Sequence, residues 1–160
     1  MSAPDRREVA VVYAAGLVQG VALVTFPAAS SILTSSTYYG LSSTQYGALF
    51  VPQAVLAVAA ALLGTRLTER WGTKQVFLAG IAADLASMVL LFVSQLLIGG
   101  ALAYPVLLLA TSCLGIGFGL TVPTVNRYAA AFFPAAVERA VLYLNALLGL
   151  GTALAPLFVA

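Results

Sequence analysis

The feature that most constrains this chain is an uncharged run of 57 residues, from position 9 to position 65. A transmembrane helix needs about 20 consecutive apolar residues, so this run is long enough for two crossings of a bilayer. Charged residues make up 8% of the chain, whereas about 25% is usual in soluble domains. These observations exclude a water-soluble globular fold and identify the lipid bilayer as the surroundings of the protein.

Hydropathy and helix-breaking residues divide the chain into five predicted membrane spans. The spans cover residues 9–33, 45–65, 75–97, 105–130 and 139–160. Each is long enough to cross about 30 Å of hydrocarbon at about 1.5 Å per residue. The sequence therefore predicts an all-α membrane protein that forms a single transmembrane domain over residues 1–160.

The distribution of charge predicts the orientation of the protein. With five crossings, all seven basic residues fall on one side of the membrane: Arg6, Arg7, Arg66, Arg70, Lys74, Arg127 and Arg139. The positive-inside rule assigns that side to the cytoplasm. We therefore expect a cytoplasmic N-terminus and a plasma membrane location, in a bacterium the inner membrane. The basic residues are too scattered to form a patch, so nucleic acid is not an expected partner.

Two glycine pairs with the same spacing lie in different spans, Gly16 with Gly20 in the first and Gly115 with Gly119 in the fourth. Small residues four positions apart let helices pack closely in lipid. Because the first and fourth spans cross in opposite directions, the shared spacing favours two three-helix units of inverted topology, as in secondary transporters. The alternative is that these glycines serve helix packing only.

The third span contains the only carboxylate predicted near the middle of the membrane, Asp84. It lies about nine residues into the span, at a depth of roughly 14 Å. Ionisable residues at such depth are rare and face protein or water. Asp84 is therefore a candidate for proton coupling, and a structural hydrogen bond to a neighbouring helix is the alternative.

Uncharged amide side chains inside the spans are the predicted contacts for a small solute. They are Gln19, Gln53, Asn126 and Asn145. If the last two spans form an antiparallel pair, the two asparagines lie at depths within about 5 Å of each other. Amides offer donors and acceptors suited to neutral polyhydroxyl or amphiphilic solutes. The alternative is that the amides hydrogen-bond to each other or join neighbouring helices.

The composition does not favour an enzyme. The chain has no histidine and one cysteine, Cys113, which lies in an apolar stretch. It therefore offers no nucleophile paired with a histidine base and no Cys/His metal site. We expect neither a cofactor nor a bound metal.

The segment Leu-Thr-Glu-Arg-Trp-Gly-Thr-Lys, residues 67–74, resembles the cytoplasmic loop signature of the major facilitator superfamily, Gly-x-Leu-Ala-Asp-Arg-x-Gly-Arg-Lys. The matching positions are Leu67, Glu69 in place of Asp, Arg70, Gly72 and Lys74. Later in the chain, Gly151, Ala155 and Pro156 are similar to the Gly-x3-Gly-Pro signature of the fifth helix. The surroundings of Asn126 and Asn145 are similar to those in fucose-permease-like sugar transporters.

The resemblance implies one half of a twelve-helix transporter, with five helices of a six-helix half-bundle present here. It implies a solute held between the halves and moved by alternating access, with a cytoplasmic gate formed by Glu69, Arg70, Gly72 and Arg139. The second half would come from a second copy of the chain or from a separate polypeptide, or the chain would be a fragment of a longer transporter. A non-transporting membrane scaffold or regulatory subunit is the rival hypothesis.

The resemblance also bears on ion coupling. Proton-coupled members of the fucose-permease-like group carry carboxylates on helices 1 and 4, and here Thr121 stands about where the helix 4 acid would fall. Helix 3 of the fold mostly supports the cavity from outside, which weakens the case for Asp84 as a substitute.

Overall fold

The computed structural model describes residues 5–158, and every element within that range is helical. The helices are α1 (Arg6–Ala28), α2 (Ser30–Thr34), α3 (Ser43–Ala48), α4 (Phe50–Trp71), α5 (Thr73–Gln95), α6 (Ala103–Phe132) and α7 (Val137–Leu154), followed by a 3-10 turn (Ala155–Phe158). They form five stretches long and apolar enough to cross a membrane, which confirms the five predicted spans. The last two residues of the predicted fifth span, 159 and 160, lie outside the described range.

Prolines lie close to the breaks that divide each of the first two spans into two helices. The break between α1 and α2 follows Pro27 by two residues. The break between α3 and α4 falls at Leu49, and Pro52 has no backbone N–H to bond the carbonyl oxygen four residues before it. At the start of α3, the Ser42 hydroxyl accepts from the backbone N–H of Gln45 at 3.2 Å and completes a capping box.

One residue, Gly72, connects α4 to α5. The sequence predicted that the second span ends at residue 65, but α4 continues through its charged last turns to Trp71. The helix stops only where Gly72 adopts φ +85° and ψ 154°, a conformation open essentially to glycine alone. A Cβ at Gly72 would meet no atom within 4 Å, so backbone conformation and not space requires the glycine.

Two parallel helix pairs join the bundle through glycines. In the first pair, which we call the α1–α7 seam, Gly16 lies against Leu144 and Gly20 against the backbone of Leu148. A Cβ on Gly20 would lie 3.0 Å from the Cα of Gly151. The helices therefore meet backbone to backbone, the close approach that small residues permit in lipid.

The second pair, the α4–α6 seam, has the same design. Gly115 lies against the backbone of Gln53, and Gly119 lies against Ala57 and Ala60. In both seams a step of four residues on one helix is matched by a step of four on its partner. The helices within each pair therefore run parallel.

The two seams correspond to each other when the first span is matched with the fourth and the second span with the fifth. The first span packs on the fifth, and the fourth packs on the second, through glycine pairs with identical spacing. The first and fourth spans run in opposite directions. This pairing is the one that two three-helix units of inverted topology would give, and it agrees with the relationship that the glycine spacing favoured.

A third contact, the α5–α6 seam, is antiparallel. Gly80 lies against Thr121, and Gly117 lies against Asp84. Helix α6 is thus enclosed by α4 on one side and α5 on another, and it is the most buried of the five spans.

The basic residues of the chain gather at one end of the bundle. Arg7 and Lys74 line one surface cavity there, while Arg127 and Arg139 line two others. Gly40 and Gly99 line a cavity at the opposite end, beside Tyr39 and Tyr104. The clustering of charge at one end agrees with the pattern from which the orientation was predicted.

Candidate functional site

The centre of the bundle contains a polar group formed by three helices, which we call the polar junction: Gln19 of α1, Asp84 of α5 and Thr121 of α6. Asp84 lies in the middle of α5 and is 8% exposed, while Gln19 is 1% exposed. The Gln19 side-chain nitrogen donates to the Asp84 carboxylate at 3.3 Å. The structure therefore joins the predicted coupling residue to one of the four predicted solute contacts.

Two glycines make room for the junction. A Cβ on Gly117 would collide with the carboxyl group of Asp84, and a Cβ on Gly80 would collide with the hydroxyl group of Thr121. The Thr121 hydroxyl lies beside the Asp84 carboxyl, outside the geometry of a hydrogen bond. Glycine at these positions lets polar side chains lie against the backbone of the facing helix.

The junction separates the two largest apolar clusters of the bundle. Along α1, Gln19 stands between Ala15 of one cluster and Ala22 of the other. Thr121 likewise stands between Leu114 and Val125 on α6. The polar groups thus form a layer across the bundle, with apolar packing above and below.

Several oxygens in this layer have no hydrogen-bond partner among the described residues. They are the side-chain oxygens of Gln19, Thr121 and, one turn beyond Asp84 on α5, Ser87. Ser87 and Thr121 are fully buried. Because a buried polar atom without a partner costs roughly 1–3 kcal/mol, such a concentration points to a function other than packing.

Gln53 and Asn126 lie elsewhere. Gln53 is opposite Gly115, on the side of α6 that faces α4, whereas the polar junction lies on the α5 side. Asn126 is further along α6, about 16 Å from the level of Gly115. Both amides are half-buried, and the oxygen of each has no hydrogen-bond partner among residues 5–158. The predicted solute contacts therefore do not form one cluster.

Asn145 is exposed on α7, where its side-chain nitrogen donates to the Val141 carbonyl at 2.9 Å. This bond is within its own helix. In the described structure no hydrogen bond joins Asn145 to Asn126, although the sequence allowed such a pair. Both asparagines retain hydrogen-bonding groups that a solute could use.

The predicted gate residues all lie at the basic end of the bundle. Glu69 and Arg70 are exposed in the last turn of α4, Gly72 follows directly, and Arg139 is exposed in the first turn of α7. In the part of the chain that the structure describes, no group of three or more His, Cys, Asp or Glu residues could hold a metal ion.

Sequence reasoning did not select Thr121, Ser87, Gly80 or Gly117 for the site. Gly80 is one helical turn before Asp84, and Ser87 is nearly one turn after it, so a search for small residues around the buried acid would have found both. Thr121 stood out only as the residue at the position of the helix 4 acid, and Gly117 carried no signal. Only the antiparallel register of α5 and α6 brings them to Asp84.

These features define a class of protein: a multi-pass α-helical membrane protein with helices packed through glycines and a buried polar layer. The family model described as Major Facilitator Superfamily matches residues 10–160, and the chain belongs to this superfamily of membrane transporters. The predicted family and half-bundle fold are thereby confirmed. No curated protein and no solved structure gives a significant match.

Proposed function

We propose that this chain is one half of a secondary active transporter that moves a small solute by alternating access. The observation that carries the proposal is the inverted pairing of the α1–α7 and α4–α6 seams. In this superfamily each half is built from inverted three-helix units, and the two halves rock against each other around a site between them. Membership in the superfamily supports the same function.

Polar side chains on three helices are the proposed solute contacts. Gln53 and Asn126 have buried oxygens without partners in the described structure, and Asn145 presents its amide on the exposed face of α7. An amide in contact with lipid would be unfavourable. These residues therefore favour a pathway for a neutral or amphiphilic solute, completed by a second half of the transporter.

Gln19 and Asp84 have a different proposed role. The hydrogen bond between them commits the Gln19 amide to the carboxylate. We assign Asp84 to ion coupling, for which the sequence suggested a proton, and we assign Gln19 to the same centre. Gln19 would thus act on the solute through the coupling residue and not by direct contact.

The proposed gate lies at the basic end, which we assign to the cytoplasm of a plasma membrane. Glu69, Arg70 and Arg139 are exposed there and are free to face another polypeptide. The partner would be a second copy of this chain or a separate second half. Gly72 ends α4 three residues after Glu69 and so keeps this acidic side chain in the last turn of the helix.

Uptake into proteoliposomes tests the proposal, with a panel of radiolabelled neutral sugars that begins with fucose. We expect Asn126→Ala and Asn145→Ala to lower uptake by about tenfold or more, equivalent to about 1.4 kcal/mol of lost interaction. Leu150→Ala, which truncates an exposed apolar side chain on α7, is the matched control and should transport normally.

Unchanged kinetics in both asparagine variants would refute the solute contacts. If no solute moves under either a proton or a sodium gradient, and the protein instead forms a stable complex with a full-length membrane protein, the chain is a scaffold or regulatory subunit.

A further inference from the structure

The polar junction contains a buried acid with no basic side chain near it among residues 5–158. Asp84 lies eleven residues after Thr73, the first residue of α5, which places it about 16 Å from the basic end of the bundle. The groups that face it are uncharged: the amide of Gln19 from α1, and Gly117 and Thr121 from α6. A carboxyl group in such a position is neutralised either by a proton or by a counter-charge from a source other than a side chain.

We propose that the polar junction binds a small monovalent cation of the sodium type, with oxygen ligands from Gln19, Asp84 and Thr121. One positive charge neutralises one carboxylate. A divalent ion would leave an excess charge in a low-dielectric interior, which is strongly unfavourable. The charge balance therefore selects a monovalent ion.

The chemistry of the ligands agrees with this choice. Hard cations bind carboxylate, amide and hydroxyl oxygens, and the junction supplies all three types. The side-chain oxygens of Gln19 and Thr121 are buried and have no hydrogen-bond partner among the described residues. A half-turn of the Gln19 amide would exchange its nitrogen and oxygen. The oxygen would then occupy the position now 3.3 Å from the Asp84 carboxylate.

The ligands belong to three helices, so binding would affect how the bundle is held together. Helix α1 packs on α7 through glycines, and Asp84 and Thr121 belong to the α5–α6 seam. A cation shared by all three side chains links α1 to this seam across the polar layer. As a coupling ion the cation depends on the proposed transport function, whereas its binding is a property of the junction alone.

Direct binding of radioactive sodium to the purified full chain in detergent tests the inference without transport. We expect saturable binding that unlabelled sodium and lithium displace, and that potassium displaces at least about tenfold less well. Choline chloride keeps the ionic strength constant. Asp84→Asn should abolish binding, and Thr121→Val should weaken it by about tenfold or more, whereas Thr121→Ser should retain it.

Ser112→Ala is the matched control on α6. The Ser112 hydroxyl donates to the carbonyl of Leu108 in its own helix at 2.7 Å, so this variant should bind sodium like the wild type. Size-exclusion chromatography checks that each variant is folded. If Asp84→Asn does not fold, the nearly isosteric Thr121→Val still decides the outcome.

Absence of saturable sodium binding by the wild type would overturn the inference, and so would wild-type binding by a folded Asp84→Asn. A carboxyl group that responds to pH but not to sodium would be a proton site. Sodium binding in a protein that transports no solute would leave the cation site intact and refute the proposed function instead.

Discussion

Glycines have different roles in the α1–α7 seam and in the α5–α6 seam. In both, missing Cβ atoms let two helices approach closely. At the α1–α7 seam the glycines meet backbone, as Gly20 meets Leu148 and Gly151. At the α5–α6 seam they meet polar side chains, as Gly117 meets Asp84. The first arrangement serves packing, whereas the second accommodates polar groups in the middle of the bundle.

The difference follows from what stabilises helices in lipid. Lipid tails are as apolar as leucine, so close van der Waals contact has to supply much of the association energy, and the α1–α7 seam provides it. The α5–α6 seam also loses stability that the α1–α7 seam keeps, because polar oxygens are buried there without partners in the described structure. A functional role for these polar groups best accounts for the lost stability.

The largest expected effect is on the α1–α7 seam. Gly20→Leu would force a side chain into the backbone of Leu148 and Gly151, and overpacking of this kind costs about 3 kcal/mol or more. We expect a large loss of folded protein after extraction and a sharply lower thermal midpoint by circular dichroism. A Cβ at Gly149 on α7 meets nothing within 4 Å, so Gly149→Leu is the control. Equal thermal midpoints for the two variants would contradict the close packing of α1 on α7 at Gly20.

A smaller effect is expected at the α5–α6 seam. Gly117→Ala would displace the Asp84 carboxyl, which can rotate, but its Cβ would also lie 2.9 Å from the Asp84 backbone nitrogen. We expect a destabilisation of about 2 kcal/mol together with loss of sodium binding.

Gly115→Ala separates these two consequences. Its Cβ would press on the backbone of Gln53 in the α4–α6 seam, so it should lower the thermal midpoint while sodium binding survives. If the two variants bind sodium equally well, the α5–α6 seam has no special role in cation binding.

The smallest expected effect lies outside the seams. Gly72→Ala meets no steric obstacle, yet the positive φ should cost about 1 kcal/mol. The measurement is the thermal midpoint. Gly47→Ala is the matched control, because Gly47 also has open space around it but no positive φ. A wild-type midpoint for Gly72→Ala would show that the link between α4 and α5 is free to change conformation.

The sequence predicted most of the fold because the bilayer imposes simple requirements on length and polarity. Each of the five predicted spans coincides with a long apolar helical stretch, since an apolar segment of about 20 residues has few alternatives in lipid. Helix α4 continues six residues past the predicted end of the second span, from 65 to Trp71. A helix continues beyond the hydrocarbon until a backbone feature stops it, and hydropathy does not register that feature.

The candidate site was less accessible to sequence reasoning. Asp84, Gln19 and the two asparagines were selected as isolated polar residues in apolar spans. The contact between Gln19 and Asp84 was not predictable, because the two residues are 65 positions apart in the sequence. The sequence identifies individual polar residues within a span. Which of them are in contact depends on the rotation and register of whole helices.

By itself, the sequence determined that the protein is an α-helical membrane protein, because burial in lipid allows few other ways to satisfy the backbone. The motif at residues 67–74 indicated the major facilitator superfamily, which the family model confirms. The sequence also contained the glycine spacing from which the inverted relationship was predicted. Only the tertiary structure decided that the buried acid meets Gln19 and Thr121. Helix packing sets which faces meet, and a rotation of one helix would have directed the same carboxylate to other neighbours.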